Sequence, residues 1–79
     1  MLTSEQLRGA RAMLRLEQRE VAEMAGVSLE TIKRMEKAPG QISALAATLH
    51  KLERALESAG VVFVDENGHG PGVRLRKGK

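Results

Sequence analysis

The chain has 79 residues, a formal net charge of +3, no cysteine and one aromatic residue, Phe63. A chain of this length supports one small core, and the lack of cysteine rules out disulfides and thiolate metal sites. No apolar run approaches the ~18 residues of a membrane span, no basic-then-apolar leader is visible, and one aromatic is too few for base stacking on single strands. A cytoplasmic protein is therefore expected. The charge is uneven: Arg74, Arg76, Lys77 and Lys79 crowd the C-terminus behind a nearly neutral body. That placement suggests a polyanion partner, with a solubilising tail as the simpler alternative.

The first helix is signalled by Thr3-x-x-Gln6, a capping box, with Leu2 and Leu7 placed as a hydrophobic staple, so it should begin at about Ser4. Leu7, Ala10 and Leu14 form its buried stripe and leave Glu5, Arg8 and Arg15 outside. Gly9 weakens this helix by up to about 1 kcal/mol relative to alanine, so packing must hold it. Arg11 stands beside the apolar stripe.

A second helix opens near Gln18, between the staple residues Leu16 and Val21, although Glu17 is a poor N-cap. Gln18 at its start can offer an amide donor to a phosphate beside the outward first-turn N–H groups. From Gln18 to Glu36 the pattern is two short helices meeting at a tight turn. Gly26 can take the positive φ that a helix C-terminus needs, and Ala22, four residues earlier, is small enough for the next helix to pack close. Ser28 caps the third helix, stapled by Val27 and Ile32. That helix should span Leu29 to about Lys37, because Ala38 precedes Pro39 and is pushed out of helical geometry. Val21, Ala25, Val27, Ile32 and Met35 face inward; Ser28, Leu29, Glu30, Thr31, Lys33, Arg34 and Lys37 are left outside.

Gln18, Ala22, Gly26, Ile32 and Glu36, with the apolar positions between them, resemble the lambda-repressor/Cro-like (XRE) helix-turn-helix, over roughly Leu7 to Leu56. The resemblance implies a mainly α, four- to five-helix DNA-binding domain whose third helix enters the major groove of double-stranded DNA. It also implies that Arg11 pairs with Glu36, tying the first helix to the third as a register device. On this reading Arg34 makes a bidentate contact to a guanine edge and Thr31 meets a thymine methyl or a phosphate. Glu30 accepts from a cytosine amine, Leu29 packs on a methyl, and Lys33 and Lys37 meet phosphates. Ser28 and Gln18 complete the expected DNA-binding set, with Gly40 and Gln41 as weaker backbone candidates. Against it stands a plain solvated face on which Glu30 and Arg34, four apart, pair with each other.

After the turn Pro39-Gly40-Gln41, Ile42 is expected to plug the core. Ser43 or Thr48 caps a fourth helix, whose stripe of Leu45, Leu49, Leu52, Leu56 and Ala59 ends at Gly60. The period then changes. Val61–Asp65 and Gly72–Arg76 read as strands joined by the turn-rich segment 66–72, hence a β-hairpin. A lone hairpin is marginal and its edges invite pairing. It either lies on the fourth helix or joins the same hairpin of a second chain. The second arrangement is the expectation, with Val62, Val64, Val73 and Leu75 at the contact. The chain thus divides into a helix-turn-helix domain over 1–60 (the motif itself about 18–37) and a hairpin with a basic tail over 61–79.

Neither a phosphate loop nor a nucleophile with its base is present, and His50 and His69 lack partners at metal-ligand spacing. No catalytic residue, metal or cofactor is expected. The function expected is a homodimeric, sequence-specific repressor reading a palindromic operator, associated with the nucleoid when bound. The alternative is an antitoxin or antiactivator whose hairpin or leucine stripe binds a partner protein.

Overall fold

The computed structural model describes residues 2–77; Lys79, counted above in the basic tail, lies outside them. Its elements are α1 (Ser4–Leu14), α2 (Gln18–Ala25), α3 (Leu29–Lys37), α4 (Ala46–Ala59), β1 (Val61–Val64) and β2 (Gly72–Leu75). The helices among the described residues therefore number four, and there is no fifth.

Local chemistry sets the helix ends. Thr3 Oγ1 accepts the Gln6 N–H at 3.0 Å and Gln6 Oε1 accepts the Thr3 N–H at 2.9 Å, which opens α1 at Ser4. Arg15 closes α1 in the left-handed region at φ 57°, where a side chain is disfavoured. At the head of α2, Glu17 supplies no side-chain cap, but its own N–H is taken by Glu20 Oε1 at 2.8 Å. Gly26 (φ 70°) ends α2 and Ser28 Oγ accepts the Thr31 N–H at 3.1 Å to open α3. Ala38 is extended (φ −94°, ψ 139°), as a residue preceding proline must be, and terminates α3.

Leu7, Ala10, Val21, Ile32, Leu52 and Leu56 are fully buried and form the centre of the core, with Ile42 closing it from the loop. The start of α4 differs from the sequence expectation. Leu45, placed there in the buried stripe, is the N-cap residue and is 78% exposed, and neither Ser43 nor Thr48 caps the helix. The helix begins one residue later than the stripe, so Leu45 sits in extended backbone outside the helical face that buries Leu49.

The hairpin is seated on its own chain, against α1 as well as α4. Val61 pairs with Leu75 and Phe63 with Val73, so these four share one face, while Val62 and Val64 share the other with Arg74. Val61 belongs to the core cluster and Phe63 and Val73 pack against it half-buried; Leu75 is 55% exposed. Two features hold the ribbon down. Gln6 Nε2 donates to Val64 O at 3.1 Å and Gly72 O at 2.9 Å, and Val73 rests where α1 has no side chain, at Gly9. Arg76, read above as part of the basic tail, donates to Glu57 O, a carbonyl at the end of α4 that also accepts the Gly60 N–H at 3.1 Å.

Candidate nucleic-acid interface

The outer face of α3 is the surface from which a groove-reading site would be built. Ile32, Met35 and Glu36 are buried, whereas Glu30, Lys33, Arg34 and Lys37 are exposed and line one shallow hollow. Leu29 and Thr31 are half-buried and Ser28 is exposed. The Ser28 and Thr31 hydroxyls lie 2.8 Å apart, bonded to each other. Lys33, Arg34 and Lys37 against the one carboxylate of Glu30 give this face a positive balance. Among the described residues the ion pairs are Arg8 with Glu5 and Arg11 with Glu36. Arg34 therefore does not pair with Glu30. Arg34 also borders a second hollow formed with Gln41 and Ser43, which continues the surface from α3 into the following loop. The loop contribution of Ser43 carries no sequence signal, because a serine ahead of a helix reads first as a cap.

Behind this face, α3 is braced at Glu36. Arg11 Nε donates to Glu36 Oε2 at 2.8 Å and Arg11 Nη2 to Oε1 at 2.9 Å, a bidentate fork. Arg11 Nη1 also donates to Leu16 O at 3.2 Å. The hydrogen bond to Glu36 raises the Arg11 guanidinium further above its already high range, so Arg11 stays charged across any ordinary pH. Gln18 Nε2 donates to Glu36 Oε1 at 3.0 Å, so this side chain, considered above for a phosphate, lies half-buried across the α2–α3 junction. The Arg11–Glu36–Gln18 triad joins all three helices.

The hairpin packs on α1 and α4, whereas α3 packs on α1 and α2. The ribbon thus leaves the outer residues of α3 open to solvent. Among the described residues no group of three histidine, cysteine, aspartate or glutamate side chains is arranged to hold a metal. No helix among them is long and apolar enough to cross a membrane.

The helix-turn-helix family model matches residues 7–59, two thirds of the chain, spanning α1 through α4. No curated protein matches. The family match, the tight turn at Gly26 and the open, basic outer face of α3 together place this chain in the lambda-repressor/Cro-like (XRE) helix-turn-helix family of DNA-binding regulators.

Proposed function

We propose that the protein is a sequence-specific transcriptional regulator that works as a homodimeric repressor, reading a palindromic operator with α3 in the major groove. One observation carries the reading. Glu30, Lys33, Arg34 and Lys37 stand exposed on one side of a helix whose other side is locked into the core. Arg34 is assigned a guanine edge and Glu30 a cytosine amine; Leu29 and the Thr31 methyl are assigned thymine methyls. Lys33 and Lys37 take phosphates, as does the free amide hydrogen of Gln18, with Ser28 at the helix start beside them. Occupying the operator excludes polymerase from it.

Size supports pairing. The chain measures 30 × 27 × 20 Å, so two copies centred one helical turn apart, about 34 Å, stand side by side without overlapping and come within a few ångströms along the longest axis. The exposed Leu75 and the outward Val62 and Val64 supply apolar surface for that meeting, and Val73 supports the ribbon from beneath. The absence of cysteine suits a reducing cytoplasm.

The test is retardation of duplex DNA across a salt series. Lys33 and Lys37, the two cations assigned to phosphates, at ~0.9 per phosphate neutralised, give a log–log slope of about −2 for one chain and about twice that for a two-fold pair. Failure to bind any duplex at low ionic strength would refute the proposal and leave the role to a protein partner.

A further inference from the structure

The C-terminal end of α3 does not close on itself. Ala38 is extended, so the carbonyls of the last turn lack the partners that a left-handed cap would provide. Two of them, Met35 O and Glu36 O, are met instead by the first two turns of α1. Ser4 Oγ lies 2.6 Å from Met35 O and 2.5 Å from Ala38 O, and Arg8 Nη1 donates to Glu36 O at 2.7 Å. Between them, the Glu5 carboxylate accepts the Gly40 N–H at 3.1 Å and pairs with Arg8 at 3.6 Å. Ser4 is 1% exposed, so its hydroxyl has no water to serve.

These bonds do something that the apolar contacts under α3 do not. Ile32 and Met35 hold the helix down, but apolar burial is non-directional and resists rocking along the helix axis poorly. The turn at Gly26 and Ser28 fixes one end. A rod needs a second fixed point near its other end: Arg11 and Gln18 hold it there through the Glu36 side chain, and Ser4 and Arg8 hold it through the backbone carbonyls, which move with the helix axis itself. Nine residues at ~1.5 Å each make α3 about 13 Å long, so a tilt of about 10° about its capped start carries Arg34 through roughly 1 Å. A hydrogen bond to a base edge tolerates only a few tenths of an ångström about its ~2.9 Å optimum.

We infer that Ser4 and Arg8 are positioning residues of the DNA-reading surface: they set the tilt of α3 through its terminal carbonyls and do not touch DNA themselves. The inference rests on the reading of α3 as the groove-entering helix. A merely structural role would lower the melting temperature without altering base preference, and a phosphate contact would weaken binding to all sequences alike. A positioning role alters preference.

The probes are the best-bound duplex selected from a random-sequence library and a scrambled duplex of the same length. Binding of each is measured across salt, well below the melting temperature, for the wild-type chain, Ser4→Ala, Arg8→Met and Arg8→Lys. Arg8→Met keeps the stem and loses the donor, and with 42% of the Arg8 side chain exposed the variant folds even if Ser4→Ala does not. Expected is an affinity loss of about tenfold on the selected duplex, the scale of one base contact. Binding to the scrambled duplex and the salt slope stay unchanged, and Arg8→Lys recovers part of the loss. An unchanged ratio of the two affinities in Arg8→Met overturns the inference, as does an equal loss on both duplexes with a shallower slope. Wild-type chain that binds no duplex at all removes the DNA reading itself, and the inference with it.

Discussion

Replacing Gly9 with alanine tests whether the hairpin is an integral part of the fold. In mid-helix the change gains about 1 kcal/mol of helix propensity. An added Cβ, however, would stand 3.0 Å from Val73 Cγ1, closer than side chains ordinarily approach. The neighbour cannot easily withdraw. Gly72, adjacent to Val73, and Val64 across the ribbon are both held by Gln6 Nε2, at 2.9 and 3.1 Å. Overpacking of this kind costs about 1–3 kcal/mol, so Gly9→Ala is expected to destabilise the chain by about 1 kcal/mol net. In a Val73→Ala background the obstructing methyl is gone and the same change should stabilise by up to about 1 kcal/mol, a coupling of about 2 kcal/mol. Urea unfolding of the four proteins, followed by far-ultraviolet circular dichroism, closes the cycle. If Gly9→Ala stabilises both backgrounds equally, Val73 does not rest on α1 and the seat described for the hairpin is wrong.

Arg34→Ala should cost about 1–3 kcal/mol on a selected duplex and relax preference at one base position; equal losses on every sequence would make Arg34 a phosphate contact. Arg11→Met leaves the Glu36 carboxylate, whose side chain is 6% exposed, with Gln18 alone. It should destabilise by about 2–3 kcal/mol in urea, largely recovered by adding Glu36→Gln, since an orphaned buried charge costs more than the pair contributes. The Glu5 carboxyl is held below its ordinary value of 4.5 by its own backbone N–H and then by that of Gly40. A depressed folded value means stability present above the unfolded pKa and lost as pH falls through the folded one. Glu5→Gln should therefore flatten the stability profile below about pH 4.5 and leave it unchanged near neutrality; an unaltered acid limb would show that the Gly40 contact does not form.

Five helix limits were legible because they are written within four residues: Thr3 with Gln6, Gly26, Ser28, Pro39 and Gly60; the end of α1 at Arg15 and the start of α4 after Leu45 carry no such local mark. The apolar period likewise marked the core face of α1 through α4, with Leu45 as the exception. A stripe counted by spacing alone does not show where the helix starts. What escaped the sequence lies in bonds between distant residues. Gln6 illustrates the difference, since half its amide completes a capping box readable three residues away. The other half reaches residues 58 and 66 positions along the chain, and nothing local announces it. Ser4 looked like an ordinary first-turn residue, and Gly9 looked like a weakness in α1; each is explained only by a partner far along the chain. In the site, the exposed side of α3 followed from its period, while the turn of Gln18 toward Glu36 required coordinates.

Charge placement decides more than the total of +3 does. The C-terminal arginines drew attention to the tail as the surface for a polyanion, yet Arg76 is directed at the end of α4, where a cation also opposes the negative pole of the helix dipole. Arg8 and Arg11 are likewise turned to α3 from within, one on its terminal carbonyl and the other on the Glu36 carboxylate. Cations so engaged act over a few ångströms and contribute little beyond the ~8 Å screening length of physiological salt. Lys33, Arg34 and Lys37 remain outward on one short helix with no ion-pair partner among the described residues. Arg15, Arg19, Lys51, Arg54, Arg74 and Lys77 are also exposed; on the proposed reading of α3, its outward cations meet the duplex while Arg8 and Arg11 hold the helix, so that contact and orientation fall to different basic residues.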